Sequence, residues 1–456
     1  MNSSHENPKK TTRLSKTKQI IPAVTAILVI VVIFAFTYQT PSSVMKRNEK
    51  QITQQKSEIK GCVFKTVFEG ELLDSNFVYK TPKKVTTSVE TALQFIAKAQ
   101  HQDGGWGAGS HANQGEMNPH AVQPDPATTS MVAMALLRSG SNLEKGEYST
   151  QLNNALLFLL KEVEKADKNS LTITSVTGTQ IQSKLGANID VVLTSQFLSN
   201  ILDYDIKDEK MKERVKTALN TCVAKIQKGQ NSNGSLEGSG WAGVLQSSFA
   251  NNAVEAAQAQ GVAVDTVLLE KARDFQKGNF DEKTGAVNTD LGAGVVLYSV
   301  SSSTRSSAKD ARKVDEEFKK AKKEGRIKED AKISTENLEQ IGYGKAEAQK
   351  YATSYNVYNS AKNVAQQDNV TSGFGNNGGE EFMSFLQTGE SMIIGKDMDW
   401  KKWYDKVSGT LLGIQNNDGS WNGHHCITSP VFCTATSVLI LTVNNDIDKL
   451  VAMGGK

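Results

Sequence analysis

A short motif that recurs along the chain constrains the fold more than any other feature. Residues 415–421 read Gln-Asn-Asn-Asp-Gly-Ser-Trp and residues 100–106 read Gln-His-Gln-Asp-Gly-Gly-Trp, so both follow the pattern Q-x-x-x-G-x-W. Residues 230–236 form a degraded copy, with Leu in place of Trp. Both complete copies follow apolar residues at helical spacing, which predicts that the motif is a turn between two helices.

The three residue types of this motif have distinct predicted roles. The Gln side chain can hydrogen-bond to the ends of neighbouring helices, the Gly permits a turn with positive φ, and the Trp covers the turn with a large apolar face. We assign these roles to Gln100, Gly104, Trp106, Gln230, Gly234, Gln415, Gly419 and Trp421.

The spacing of the copies indicates a repeat. Gln230 lies 46 residues before Gln276, where a looser copy begins, and Gln276 lies 139 residues before Gln415. A period of about 45 residues, with a helix on each side of a Gly turn, is typical of an array of helical hairpins. The predicted helix pairs are 86–100 with 127–139, 148–166 with 189–203, 208–228 with 243–260, 265–277 with 288–302, 334–366 with 379–394, and 399–415 with 430–443.

The motif resembles the QW repeat of the squalene cyclase and prenyltransferase superfamily, over roughly residues 85–445. The resemblance implies an all-α fold, an α/α toroid of about six helical hairpins in which the helix after each QW turn lies in the inner barrel. The small, apolar segments 127–137 and 432–441 fit such buried helices. The resemblance is weak evidence for an activity, because this ring also has roles other than cyclisation.

The N-terminal region predicts a membrane anchor. Residues 20–38 carry no charge, and nineteen residues of helix can cross a bilayer core of about 30 Å. A cleaved signal peptide is the alternative, but the apolar run is long for one and no clear cleavage site follows it. The basic residues before the run predict a cytoplasmic N-terminus and an extracytoplasmic domain in a single-pass cell-membrane protein, although Lys46, Arg47 and Lys50 reduce this asymmetry.

These features divide the chain. The parts are a cytoplasmic basic arm (1–19), the transmembrane anchor (20–38), a stalk and lead-in (39–84), the ring domain (85–445) with a charged insertion (303–333), and a C-terminal tail (446–456). The mixed charges of the insertion predict an exposed helix or a mobile excursion from the ring. Residues 171–182 alternate in polarity around a Gly, which predicts a β-hairpin.

Several activities are excluded by missing residues. The chain contains no Asp-Asp pair, so it has neither the D-x-D-D acid motif of class II terpene cyclases nor a D-D-x-x-D magnesium site. It contains no D-x-C sequence, which protein prenyltransferases use to bind zinc, and no C-G-E-Q thioester motif. The aromatic content is 7%, low for a site that stabilises carbocations. The net charge of +3 gives no sign of nucleic-acid binding.

A loop rich in His and Cys follows the last motif. His424, His425 and Cys426 are residue types that ligate transition metals. The alternative is a disulfide between Cys426 and Cys433, because the four cysteines (62, 222, 426 and 433) are predicted to lie in or beside an oxidising compartment. Free structural thiols are a third possibility. His101, His111 and His120 lie in the first repeat, so ring closure would bring all these loops to one seam.

A glycine-rich turn precedes the helix that begins near residue 379. Asn376, Asn377, Gly378 and Gly379 are predicted to offer open backbone N–H groups to an anion or a carbohydrate oxygen. Glu380 and Glu381 either complement the helix dipole or act as carboxylates at the ring mouth. With His424 and His425 they are the candidate catalytic residues. This turn and the G-H-H-C loop also resemble uncharacterised bacterial proteins of the same superfamily that lack the cyclase motif.

The sequence supports two hypotheses about function. The first is a membrane-anchored, extracytoplasmic binding or scaffold protein that takes an unknown ligand or protein partner in the ring mouth. The second is an enzyme of the same superfamily with an unassigned reaction on an isoprenoid lipid or a polysaccharide. Neither hypothesis assigns a cofactor. Perturbed pKa values or a stoichiometric metal in the His/Cys/Glu loops would favour the enzyme.

Overall fold

The computed structural model describes residue 77, residues 79–372 and residues 378–454. The predicted basic arm, the predicted membrane anchor, most of the stalk and lead-in, and Asn376 and Asn377 lie outside the described residues. Within the described ranges, no helix is both long and apolar enough to span a membrane.

Helices make up most of the described chain, and isolated bridges are the only β-structure in it. The prediction of an all-α fold is therefore confirmed. The helices are α1 (Lys83–Lys98), α2 (Pro126–Arg138), α3 (Ser149–Lys165), α4 (Gln180–Lys184), α5 (Ile189–Ile201), α6 (Glu209–Lys228), α7 (Gly243–Ala259), α8 (Thr266–Lys277), α9 (Val296–Lys323), α10 (Thr335–Gln340), α11 (Lys345–Ala365), α12 (Asp368–Thr371), α13 (Gly379–Ile394), α14 (Trp400–Ile414), α15 (Pro430–Leu441) and α16 (Ile447–Gly454).

Six of these helices form an inner ring, namely α2, α5, α7, α9, α13 and α15. Each contacts the next in this order, and α15 contacts α2, so the ring is closed. The inner helices α2 and α15 are buried around nearly their whole circumference, whereas α1, α6 and α8 bury one face. This difference follows from composition, because a helix with little polar surface is stable only when it is enclosed.

The N-termini of the inner helices lie together at one end of the ring, which we call the N-terminal mouth. The N–H group of Ala127 at the start of α2 donates to Asp190 in the first turn of α5 (3.0 Å). The hydroxyl of Tyr298 at the start of α9 donates to Glu381 in the first turn of α13 (2.7 Å). At the opposite end, Arg138 at the end of α2 donates to the carbonyl of Leu439 near the end of α15.

The motif turns join the outer helices to one another. The amide of Gln100 donates to the carbonyl of Gln151 in α3, and that of Gln230 donates to the carbonyl of Leu268 in α8. The amide of Gln415 donates to the carbonyl of Ser88 in α1, the first outer helix (3.0 Å). The last motif therefore fastens the end of the ring to its beginning.

The indoles of the two complete motifs have the same surroundings. Trp106 and Trp421 are fully buried. Their Nε1 atoms donate to the carbonyls of Ile96 and Leu411 near the ends of the preceding helices, at 2.9 and 2.8 Å. Each Trp therefore covers the end of the helix that leads into its turn.

The fourth inner helix differs from the prediction. We predicted a helix that ends at residue 302 and a separate charged insertion at 303–333, but α9 is one continuous helix of 28 residues. Its second half packs against α10 and α11 through a buried cluster. That cluster comprises Val314, Phe318, Ala321, Ile327, Leu338, Ala348 and Ala352.

Two further segments are helical where another structure was predicted or none was assigned. The β-hairpin prediction for residues 171–182 is wrong, because no strand forms there and α4 begins at Gln180. In the predicted C-terminal tail, α16 packs against α9 and α13. The amine of Lys449 in α16 also donates to Asn200 in α5 (3.1 Å). This last helix lies across the C-terminal end of the inner ring.

Candidate functional site at the N-terminal mouth

The loop that precedes α15 is held by residues of the first two repeats. The side-chain oxygen of Gln180 accepts hydrogen bonds from the N–H groups of Thr428 (2.7 Å) and Ser429 (3.1 Å). The side-chain oxygen of Gln114 accepts from the N–H of Cys426 (3.0 Å). Because these contacts span about 250 to 310 residues of sequence, only ring closure brings them together.

The first turn of α13 contributes two buried carboxylates to this mouth. Glu381 is fully buried and accepts from the N–H of Gly378 and from the hydroxyl of Tyr298, both at 2.7 Å. A carboxylate at this helix position satisfies a free N–H group of the first turn. Burial raises the pKa of Glu381, and burial together with the charges of Glu380 and Glu381 raises the pKa of Tyr298 far above its usual range. Tyr298 is therefore a neutral donor.

Glu380 faces the loop that carries the His and Cys residues. It is 1% exposed, and it accepts from the N–H of Ile427 at 3.3 Å. Its Oε1 lies 3.6 Å from Nδ1 of His425. Burial, and then the charge of Glu381, raises the pKa of Glu380 to about 8. The pair of glutamates therefore carries less than two negative charges at neutral pH.

Cys426 completes a compact cluster with these groups. Its thiol, a carboxylate oxygen of Glu380 and a ring nitrogen of His425 all lie within 4.8 Å of one another. The backbone of Cys426 is left-handed (φ 63°), a conformation that costs a residue with a side chain roughly 1–3 kcal/mol. Burial, and then the charge of Glu380, raises the pKa of this half-buried thiol to about 11.

A lysine and an exposed tryptophan lie beside the cluster. Lys184 is buried, and its amine lowers the pKa of the Cys426 thiol, against the larger effect of burial. Its amine is also 4.1 Å from the centre of the Trp241 ring, whose residue is 65% exposed. The mouth thus presents a cation and an aromatic ring next to the acidic and thiol groups.

The cluster has the chemistry of a transition-metal site. A carboxylate, an imidazole and a thiol are the ligand types of zinc in proteins, and three protein ligands leave a fourth position open. The predicted ligand set changes, because Glu380 takes the place of His424. His424 is exposed and lies outside the cluster, whereas the predicted ligands His425 and Cys426 belong to it.

In the described part of the glycine turn before α13, the backbone N–H groups already have partners within the protein. The N–H of Gly378 donates to Glu381, and the N–H of Gly379 donates to the carbonyl of Ile427 (3.0 Å). A Cβ atom at Gly378 would lie 2.5 Å from the carbonyl oxygen of His425. These glycines therefore permit close packing of the turn on the loop, and their N–H groups are not open to an anion as predicted.

The described cysteines are free thiols. Cys426 and Cys433 do not form the predicted disulfide in this structure. Cys433 is completely buried in α15, and its thiol donates to the carbonyl of Ile427 at 3.5 Å. Cys222 is likewise buried, so Cys426 is the most accessible of the three.

The histidines of the first repeat bind backbone carbonyls or local side chains. The ring centres of His101 and His120 lie 5.4 Å apart. Nε2 of His101 hydrogen-bonds to the carbonyl of Pro119, and Nε2 of His120 hydrogen-bonds to that of Lys98. Nδ1 of His111 bonds to the amide of Gln114 (3.0 Å), whose oxygen contacts the Cys426 loop. The first and last repeats therefore meet through Gln114. His101 and His120 lie outside the cluster of Glu380, His425 and Cys426.

The ring interior leaves little room for a large ligand. A cavity of about 70 Å³ lies between the inner helices towards their C-terminal ends, and residues of all six inner helices line it. Pockets for drug-sized ligands have volumes of roughly 300–1,000 Å³. This cavity is therefore too small for an isoprenoid chain, which agrees with the missing cyclase motif.

Comparison with known proteins gives a distant structural similarity. No protein-family model matches the sequence, and no curated protein matches it. The apo structure of the type II terpene cyclase MstE from Scytonema is 12% identical, with a TM-score of 0.32, over 80% of this chain and 100% of that one. A variant of that enzyme in complex with geranylgeranyl dihydroxybenzoate is 11% identical, with a TM-score of 0.34, over 82% and 100% of the two chains.

Proposed function

We propose that the protein is a membrane-anchored, extracytoplasmic α/α-toroid protein that binds a divalent transition metal at its N-terminal mouth. Glu380, His425 and Cys426 are the ligands, zinc is the favoured ion, and the open position of the metal takes an exogenous ligand or a group of a protein partner. The observation that supports this proposal is the grouping of three different ligand atoms within 4.8 Å. The apolar run at residues 20–38 supplies the membrane anchor.

The electrostatics of the mouth support a cation at this place. Glu380 and Cys426 are both acids whose charged forms are disfavoured by burial. A divalent ion would supply two positive charges, so both groups would lose their protons when it binds. The amine of Lys184 beside Cys426 opposes the cation and would move towards solvent and Trp241.

The test is metal analysis of the full-length protein purified in detergent. After incubation with zinc and removal of free metal, native mass spectrometry should show one zinc ion per chain. His425→Ala and Cys426→Ser should each lower this occupancy at least tenfold, because each removes one of three ligands. His424→Ala is the matched control, since the neighbouring imidazole lies outside the cluster, and it should keep full occupancy. Equal occupancy in the three variants would refute the proposal.

An enzyme is the second candidate function. It is favoured by the three-ligand set, because a metal held by three protein ligands would keep an open position where it could activate a water molecule. The small ring cavity favours a polysaccharide over an isoprenoid lipid as its substrate. Incubation of the zinc-loaded protein with cell-wall polysaccharide, followed by mass spectrometry, should then show products that Glu380→Gln abolishes. If the polysaccharide is unchanged although zinc occupancy is full, the enzyme hypothesis is refuted and the metal-binding function stands alone.

A further inference from the structure

A cleft lies at the opposite end of the ring from the cluster of Glu380, His425 and Cys426. It has a volume of about 590 Å³ and is formed by α5, α7, α8, α9 and α16. A cleft of this size can take a small organic ligand. It adjoins the cavity of the ring, because Lys449 and Met453 line both spaces.

The charges at this cleft leave an excess of positive charge. Among the described residues, Glu255 is the only carboxylate that contacts Arg305. Arg273 pairs with Glu255 at 2.6 Å and with Glu270 at 3.6 Å. Lys449 pairs with Asp203 at 2.5 Å. Lys309 faces Glu255 and Arg273 but has no carboxylate within 4 Å and no hydrogen bond among the described residues. The cleft wall therefore carries three cations against two carboxylates. The cations are Arg273, Lys309 and Lys449, and the carboxylates are Glu255 and Asp203.

One of the two arginines has donors to spare. Arg305 is 3% exposed, yet its one hydrogen bond within the described chain is to Glu255, at 3.2 Å. A guanidinium group carries five N–H donors, so most of those of Arg305 have no partner within the described chain. Arg305 lines the ring cavity, which adjoins the cleft, and its donors face that cavity. An oxyanion is the chemical group that matches a guanidinium fork.

The remaining lining adds groups that recognise hydroxyls. Gln196, Asn200, Gln258 and Gln260 contribute side-chain amides to the cleft wall. An amide can both donate and accept hydrogen bonds, as a sugar hydroxyl does. Ala256, Ala259 and Ala452 supply only small apolar surface. The lining therefore suits a polar ligand that carries both an acidic group and hydroxyl groups.

We propose that this cleft is a binding site for a small polyhydroxylated anion, a sugar phosphate or a sugar acid. The acidic group lies at Lys309 and Arg273, and the hydroxyls bond to the amides of α5 and α7. The site is separate from the mouth and does not depend on a metal there.

The test is calorimetric titration of the full-length protein in detergent with glucose 6-phosphate, glucuronate and glucose. We expect one site for at least one of the two anions and none for glucose. Lys309→Met should weaken binding of that anion at least tenfold, whereas Lys309→Arg should keep it within about threefold because it retains the charge. Lys313→Met is the matched control, since this exposed lysine lies one turn further along α9 and donates to Tyr351.

Several outcomes would overturn the proposal. They are an absence of binding by either anion, equal affinity for glucose, and an equal loss in Lys309→Met and Lys313→Met. Zinc occupancy should be the same in Lys309→Met as in the unaltered protein, so a failure here is distinguishable from a failure of the metal site. The relative affinities of the phosphate and the carboxylate sugar identify which acidic group the cleft prefers.

Discussion

The glycine of each motif turn shows how one residue permits the ring. Gly104, Gly234 and Gly419 have φ values of 93°, 94° and 90°, in the range that side chains rarely adopt. Each also lies against the backbone of the next outer helix, and a Cβ atom at Gly419 would be 2.7 Å from the carbonyl oxygen of Thr91. The turn therefore needs Gly for its conformation and for close packing.

We predict that Gly419→Ala destabilises the protein by more than about 2 kcal/mol, because it combines a strained φ with a backbone clash. Gly409→Ala is the matched control. Gly409 lies within α14 with open space around it, so a methyl group there should stabilise the protein by up to about 1 kcal/mol. Thermal unfolding of both variants by circular dichroism gives the comparison. A shift of the same sign for both would contradict this account.

The roles of the motif residues could be predicted from sequence because they depend on local geometry. Gln415 bonds to the Gly carbonyl of its own turn (2.9 Å) and to the next outer helix, as Gln100 and Gln230 do in their turns. The residues that complete the mouth could not be predicted. Gln180, Lys184 and Tyr298 belong to no short motif, and only ring closure places them beside the Cys426 loop.

Cys426 provides a prediction about reactivity. Its half-buried thiol has a pKa of about 11, so in the metal-free protein it should react slowly with iodoacetamide at pH 7 and faster as the pH rises towards 11. Buried Cys433 should stay unmodified until unfolding, and zinc should protect Cys426. Peptide mapping by mass spectrometry measures each site. A disulfide-linked pair of peptides containing Cys426 and Cys433 would instead show that the predicted disulfide forms.

Helix α9 shows how composition can mislead at the scale of an element. Its first half is rich in serine and its second half in charge, so the sequence predicted a short helix followed by an exposed insertion. Several buried hydroxyls find partners within the helix, as when Ser302 donates to the carbonyl of Tyr298 (2.7 Å) and Thr304 donates to that of Val300. In the second half, Val314 and Phe318 face α10 and α11 while most of the charges, apart from buried Arg312, face outward.

We predict that Phe318→Ala costs about 3–5 kcal/mol of unfolding free energy, because this side chain is 3% exposed within the packed cluster. Lys319→Ala truncates the side chain of the next residue, which is 68% exposed and pairs with Asp315. This substitution should cost no more than about 0.5 kcal/mol. Denaturant titration measures both. Equal, small effects would mean that this half of α9 contributes nothing to the ring.

At the scale of the whole molecule, the repeat period predicted the alternation of outer and inner helices, and most helix ends lie within a few residues of the prediction. The contents of the ring were harder to predict, because buried polar groups resemble surface groups in a sequence. Asp125 caps α2 and Asp190 accepts from the N–H of Ala127, and both are fully buried at the N-terminal mouth. Closing the ring thus encloses several carboxylates near helix N-termini.

These carboxylates determine how stability should change with pH. Burial raises the pKa of Asp125 to about 6, and burial and the charge of Asp125 raise that of Asp190 to about 7, while Glu380 has a pKa of about 8. The folded state therefore holds more protons than the unfolded state between about pH 4 and 8, so stability falls as pH rises through these values. Carboxylates with lowered pKa values, such as Glu255, are already ionised in both states above pH 5 and add no slope.

We therefore predict that the metal-free protein is more stable at pH 5 than at pH 8 by at least about 2 kcal/mol, measured by thermal unfolding. Asp190→Asn and Glu380→Gln should each flatten this dependence, because each replaces a titrating group with a neutral one. Bound zinc should flatten the Glu380 contribution alone, since a cation favours the ionised carboxylate and leaves Asp125 and Asp190 as they were. Stability that rises from pH 5 to pH 8 would show that the buried acids are ionised in the folded ring.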